Sequence, residues 1–379
     1  MKSITQTEYR FLDTVPAVHD FVLTLGSSPA FAMDLEADSL YSYQEKVCLV
    51  QISTPSANVI LDPLSAREGL QSLGPLLADT RIRKVFHGAD YDIRLLKKDY
   101  GLKIHNIADT MIAAQLVGRS MVGLAALLSE EFGLELGKGH QKDDWAHRPL
   151  DQQQLRYAAL DTAYLLELWQ RLRTELQQLG RLEWAEEEFR LLEDVTPTPA
   201  RDPAWFDVKG ARDLLPRQRS ILQNLVQLRD QAARAWDRPP FKVLSDQVLL
   251  SWAQEPPRRR DQVLRTPAAN QGALRRLAPQ VLEAVQRSTG TPLPDRPRGN
   301  AGRFTPLSGE QKERLARLKQ LREQVALRLG LSPGLLVNSE TLEKLCYIQP
   351  QEAVALLQTS LKRWQHQVLG VEFEAILLA

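Results

Sequence analysis

Apolar positions in the first 200 residues fall into two alternating rhythms. FAMDLEAD (31–38), KVCLVQIST (46–54) and ANVILD (57–62) are short, apolar and closely spaced. They predict an antiparallel meander with turns at Ser39–Gln44 and Pro55–Ala57. A helical stretch, Ala66–Ala78, leads into another buried strand, RKVFH (83–87). Helical spacing returns at Tyr91–Tyr100, Thr110–Leu116, Leu124–Phe132 and Leu155–Leu179. Three strands in a run followed by α/β alternation predict a mixed sheet flanked by helices.

Beyond Pro197 and Pro199 the strand rhythm stops. Residues 205–285 and 308–378 are helical by pattern, and the Pro-, Gly- and Arg-rich stretch between them reads as a flexible linker. The two helical blocks align without a gap at an offset of 93: Leu225/Leu318, Leu228/Leu321, Arg229/Arg322, Gln231/Gln324, Ala233/Ala326, Pro240/Pro333 and Leu249/Leu342 coincide. In each, an amphipathic helix ends in a Pro-containing loop, and a new helix follows an N-cap pair, Ser245-Asp246 or Asn338-Ser339. A duplicated helical module is the economical explanation. The expected division is therefore an α/β domain over 1–200, a helical domain over 205–287, a linker over 288–307 and a second helical domain over 308–379.

With 379 residues, 43% hydrophobic and 25% charged, the chain has the composition of a soluble multidomain protein. No apolar run approaches the length of a membrane span, and MKSITQTEYRFLD lacks the apolar core of a secretory leader. Two cysteines, Cys48 and Cys346, both in apolar surroundings, argue against a disulfide framework or a cysteine zinc site, and a reducing, cytoplasmic setting is expected. The net charge of +1 conceals a division. Residues 1–200 hold 20 Lys and Arg against 29 Asp and Glu, whereas residues 201–379 hold 28 against 18. An acidic half joined to a basic half suits a carboxylate metal site beside a polyanion-binding region.

Asp34 and Glu36 are two apart in a strand and so project from one face, with Met33 and Leu35 on the other. Two carboxylates placed together on a sheet are costly without a cation, and magnesium or manganese would remove that cost. Tyr157 and Asp161, four apart in LRYAALDTAYLLELW, share a helical face in an apolar neighbourhood. Asp92 follows His87 and Gly88 at the end of KVF, where reactive groups are common, and Asp90 competes with it for the same role. His87 and Asp109 are also candidates, the first for a structural hydrogen bond or a ligand, the second for a helix cap. No G-x-x-x-x-G-K-[ST] loop is present to bind nucleotide phosphates, which disfavours a helicase and a nucleotide cofactor.

The series DxE, HxxxxD and YxxxD resembles the DEDD superfamily of 3′→5′ exonucleases, in its tyrosine subclass. Arg156 stands where the other subclass would carry histidine. KVCLVQIS, the segment DTMIAAQL from Asp109 and KGHQKDDWAHRPL resemble ribonuclease D, and the helical repeats are similar to HRDC domains. The resemblance implies a ribonuclease H-like fold followed by two HRDC-type domains. It implies that Asp34, Glu36, Asp92 and Asp161 hold two Mg²⁺ or Mn²⁺ ions, and that Tyr157, whose phenol is a poor base near neutral pH, orients the attacking water. RNA with a free 3′ end is the implied substrate, transfer RNA precursors in particular, with nucleoside 5′-monophosphates as products and a monomer as the default state.

The sequence departs from ribonuclease D at Leu35, usually Thr, at Ala37, usually Phe, and at Asp38-Ser39-Leu40, where an Arg often follows. The metal ligands are untouched by these changes. Arg229, Arg234, Arg238, Lys242, Arg258, Arg259 and Arg260, with His87, are the expected nucleic-acid contacts. A DNA 3′→5′ exonuclease and a non-catalytic nucleic-acid-binding scaffold are the alternatives. The first is separated by a contact to the ribose 2′-OH. The second would predict a missing ligand, and all are present.

Overall fold

A computed structural model describes residues 8–135, 139–199, 201–267, 270–287, 293 and 306–379. The expected linker at 288–307 lies outside the described residues except for Leu293, Pro306 and Leu307. The N-terminal half is built on a six-stranded sheet of strands β1 (Arg10–Leu12), β2 (Ala30–Ala37), β3 (Val47–Ser53), β4 (Asn58–Leu61), β5 (Arg83–Phe86) and β6 (Ile107–Asp109). Their order is β1-β4-β3-β2-β5-β6. β3 and β4 pair antiparallel, while β1 with β4, β2 with β5 and β5 with β6 pair parallel. The sheet is mixed, as the apolar pattern predicts. β3 is buried along its whole length, which explains why VCLVQIS carries no alternation of polar residues. β1 and β6, three residues each, are too short to show a period of two and were not expected.

The helices follow the apolar rhythm with two breaks. Ala66–Ala78 forms two short helices, Arg67–Gln71 and Gly74–Ala78, with Pro75 in the first turn of the second; proline has no N–H to continue the preceding helix. Leu155–Leu179 is likewise two helices, Gln152–Ala163 and Leu165–Gln178, separated at Tyr164. The first starts earlier than expected because Asp151 accepts from the backbone N–H of Gln154 while the Gln154 side chain accepts from that of Asp151.

The chain forms two compact units. One comprises residues 1–36, 47–197 and 304–379, the other 37–46 and 198–303. Within the first, one hydrophobic core runs continuously from Ala32, Val85, Leu116, Leu168 and Trp169 to Leu318, Val325, Leu345, Trp364 and Phe373. The last helical module is therefore packed on the sheet domain's helices. Trp184 and Trp364 stack with ring centroids 5.0 Å apart. Arg181 donates to the carbonyl oxygens of Leu116 and Leu329 at 2.8 and 2.6 Å.

The second unit packs helices Pro216–Trp236, Asp246–Gln254 and Gln271–Gln286 around Leu222, Leu225, Leu249, Trp252 and Leu274. Tyr43, from segment 37–46, donates its hydroxyl proton to Asp230 at 2.7 Å within this unit. The duplication is visible element by element. Pro216–Trp236, Pro240–Val243 and Asp246–Gln254 recur 93 residues later as Gly309–Leu329, Pro333–Leu336 and Ser339–Tyr347.

Candidate active site

A cleft of about 360 Å³ in the first unit is lined by Asp34, Leu35, Glu36, His87, Gly123, Leu124, Gln141, Tyr157 and Asp161. Its floor is β2. The alternation of that strand buries Met33 and Leu35 and aims Asp34 and Glu36 together, as their spacing requires. Helix Gln152–Ala163 brings Tyr157 and Asp161, one turn apart, to the same cleft. Oxygen atoms of Asp34, Glu36 and Asp161 lie within 4.8 Å of one another.

Asp92 sits in the first turn of helix Asp90–Tyr100 and is buried. It stands close enough to Asp34 and Glu36 for their charges to interact, although it is outside the tight group of three. The turn that delivers it pivots on Gly88, at φ +79°, a conformation side chains with a Cβ rarely adopt. Asp90, its competitor, faces outward and pairs with Arg94 at 2.7 Å. Asp109 is a cap: its carboxylate accepts from the backbone N–H groups of Met111 and Ile112, and also from those of Gly88 and Ala89, so it fixes the same turn.

Crowding of buried carboxylates sets the electrostatics. Burial raises Asp34 to about 6, and burial followed by the charges of Asp34, Asp161, Asp92 and Asp143 raises Glu36 to about 10. Burial, and then Asp34, pushes Asp92 and Asp161 well above the ordinary carboxylate range. The Tyr157 phenol is driven upward by burial and then by Asp161 and Glu36, against an opposing hydrogen bond from Gln141. It therefore keeps its proton at neutral pH. Among the described residues, no lysine or arginine lines the cleft. Clustered oxygen donors without a counter-charge fit a hard divalent cation, which would offset the repulsion.

Gln141, His140, Gly123 and Leu124 were not identified from residue chemistry. His140 packs its ring 5.7 Å from that of Tyr157, with Trp145 on the ring at 6.2 Å. The available signal was the resemblance of KGHQKDDWAHRPL, which marks the segment but gives none of its residues a role.

The expected nucleic-acid contacts lie in the second unit, apart from His87. Arg238 and Arg258–Arg260 are exposed. Arg234 bonds to Asp230 and to the Tyr43 hydroxyl, and the Lys242 ammonium lies 3.9 Å from the centre of the Tyr41 ring. Arg229 is turned inward, donating to the Leu244 carbonyl at 3.2 Å and to Asp246 at 2.7 Å. Its guanidinium is occupied within its own module, which corrects the expectation that it grips phosphate.

Residues 9–177 match the 3′-5′ exonuclease family, and residues 218–285 and 311–377 each match the HRDC domain. Fold and site together define a divalent-metal-dependent 3′→5′ exonuclease with two HRDC modules. Ribonuclease D of Desulfotalea psychrophila is 31% identical over 83% of this chain and 84% of its own length. Ribonuclease D of Bartonella henselae is 27% identical over 100% of this chain and 90% of its own. The crystal structure of Escherichia coli RNase D shares the fold, with a TM-score of 0.72 over 98% of this chain and 99% of that one at 24% identity. The chain belongs to the ribonuclease D family and is a 3′→5′ exoribonuclease.

Proposed function

We propose that Asp34, Glu36, Asp92 and Asp161 hold two divalent ions, Mg²⁺ or Mn²⁺, and that the enzyme trims the 3′ ends of transfer RNA precursors in the cytoplasm. The observation that carries the reading is the convergence of Asp34, Glu36 and Asp161 oxygens within 4.8 Å, in a cleft that also holds the Tyr157 phenol. When bound, the ions supply charge stabilisation at phosphorus and make water acidic enough to attack near neutral pH. Water adds to the last phosphodiester phosphorus, the bond from phosphorus to the penultimate O3′ breaks, and a nucleoside 5′-monophosphate leaves behind a new 3′-hydroxyl.

The chain's own groups handle position and protons. Tyr157, protonated at neutral pH, orients the attacking water by a hydrogen bond rather than removing its proton. Gln141 holds the phenol through its own hydrogen bond. Asp109 secures the turn that presents Asp92. Exposed Arg238, Arg258, Arg259 and Arg260, with Arg234 and Lys242, contact RNA phosphates without reading sequence.

The substrate assignment follows from the resemblance to ribonuclease D. No helix among the described residues is long and apolar enough to cross a membrane, which is compatible with the proposed cytoplasmic setting. The test is a transfer RNA precursor with a short 3′ trailer, compared with an unstructured RNA of equal length. Stepwise loss of the trailer, slowing at the acceptor stem, is the expected result. Digestion of the unstructured RNA with the precursor left intact would refute the transfer RNA assignment.

A further inference from the structure

His87 lines the cleft, yet neither the metal ligands nor the phenol uses it. Its Nδ1 lies 2.9 Å from the Thr110 hydroxyl, which in turn lies 3.0 Å from the carbonyl oxygen of Phe86. A carbonyl only accepts. The single hydroxyl proton of Thr110 therefore goes to Phe86, and the hydroxyl oxygen must accept from His87. Nδ1 carries the proton, and Nε2 is left with a free lone pair. Among the described residues no hydrogen bond to Nε2 is formed, and the residue lines the cleft.

The ring is also kept uncharged, because burial lowers its pKa against the opposing charge of Asp109. The cleft thus offers, beside its carboxylates, a neutral acceptor of fixed direction. Of the groups near a scissile 3′-terminal phosphate, phosphate oxygens have no proton to donate, whereas the hydroxyls of the terminal ribose do. An acidic cluster makes a second anion unwelcome, and an uncharged nitrogen accepts from a hydroxyl without adding to the repulsion.

We propose that His87 Nε2 accepts a hydrogen bond from a hydroxyl of the 3′-terminal ribose, with Thr110 and the Phe86 carbonyl fixing the tautomer that makes this possible. The proposal rests on the exoribonuclease reading and adds to it a residue that reads the sugar. If the hydroxyl is the 2′-OH, His87 is a source of preference for RNA over DNA; if it is the 3′-OH, His87 senses a free end.

The test uses three oligoribonucleotides identical except for the last sugar, which is ribose, 2′-deoxyribose or 3′-deoxyribose. kcat/KM is measured for the wild type, His87→Ala, His87→Asn and Thr110→Val. His87→Asn retains a donor to Thr110 and lacks the far nitrogen, so it serves if His87→Ala fails to fold. The wild type is expected to favour ribose over one of the deoxy substrates about three- to tenfold, the worth of one hydrogen bond. His87→Ala and His87→Asn should abolish that preference, and Thr110→Val should weaken it. Which deoxy arm responds identifies the hydroxyl. Equal slowing of all three substrates would overturn the proposal and make His87 purely structural. A wild type that degrades all three equally would also overturn it, with the exoribonuclease reading intact. Failure to shorten any of them would remove both.

Discussion

Arg322 repeats, 93 residues later, the bond that Arg229 makes in the first helical module. Arg229 donates to the Leu244 carbonyl and to Asp246; Arg322 donates to the Val337 carbonyl at 3.0 Å and lies 3.4 Å from Ser339. Each guanidinium ties the long first helix of its module to the residues that open the next one. Replacing either by Ala leaves a carbonyl without its partner, at a cost of about 1–3 kcal/mol. Arg322→Ala and Arg229→Ala should therefore lower the urea midpoint, with Arg322 the more sensitive because it is the more buried. Midpoints unchanged from wild type would show that these arginines are not structural.

The exposed arginines should behave in the opposite way. Arg258, Arg259 and Arg260 substituted together should leave thermal stability unchanged but weaken RNA binding. The slope of log K against log salt should become shallower by about 2, since each phosphate contact on a single strand contributes about 0.7. An unchanged slope would remove these residues from the RNA-binding surface.

Glu188 joins the last module to the sheet domain. Both of its oxygens accept from Lys362, at 2.8 and 2.6 Å, and Oε1 also accepts from the Trp364 indole at 2.8 Å. Glu188→Ala leaves a buried indole N–H unpaired and an ammonium without its partner, and should destabilise the protein by about 1.5–3 kcal/mol. Chemical denaturation checks this; a loss below about 0.5 kcal/mol would mean that apolar packing alone holds the module.

The site's raised carboxylates give a pH dependence of known sign. In the unfolded chain these groups ionise near 4, whereas folding holds Asp34 protonated to about 6 and Glu36 to about 10. Between those values the folded state binds more protons, so stability falls as pH rises. The opposing carboxylates Asp38 and Asp62 are lowered, and their contribution is complete before pH 5. In EDTA, Tm should decline from pH 5 to pH 8, and Glu36→Gln should flatten the decline. Mg²⁺ should restore more stability at pH 8 than at pH 5. Identical Tm–pH curves for wild type and Glu36→Gln would contradict this.

Tyr157 and Asp34 should separate catalysis from metal binding. Tyr157→Phe keeps the ring packed against His140 and Trp145 and removes only the hydroxyl. It should lose about 10²-fold in kcat with metal affinity intact. Asp34→Ala should lose both. Calorimetric titration with Mn²⁺ that found the two variants equally impaired would refute the division.

The sequence made much of this legible, because its signals are local. Alternation in FAMDLEAD places Asp34 and Glu36 on one face, and the four-residue step from Tyr157 to Asp161 places both on one side of a helix. The offset of 93 carried through to helix boundaries. What local spacing cannot report is tertiary. Arg229 reads as a surface cation until the fold turns it toward Asp246. Asp92 reads as an isolated acid after a strand, and only the fold brings its charge against those of Asp34 and Glu36. β1 and β6 exist because neighbouring strands supply their hydrogen bonds, which three residues cannot signal. Gln141 meets Tyr157 only through tertiary structure, sixteen positions away in the sequence.

The most direct test is a time course on 5′-labelled single-stranded RNA with Mg²⁺, Mn²⁺ or EDTA, using wild type and Asp34→Ala. A ladder shortening one nucleotide at a time from the 3′ end, present only for wild type with metal, is the predicted result. Shortening that persists in EDTA or in Asp34→Ala would contradict the assignment of this acidic cluster as the catalytic centre.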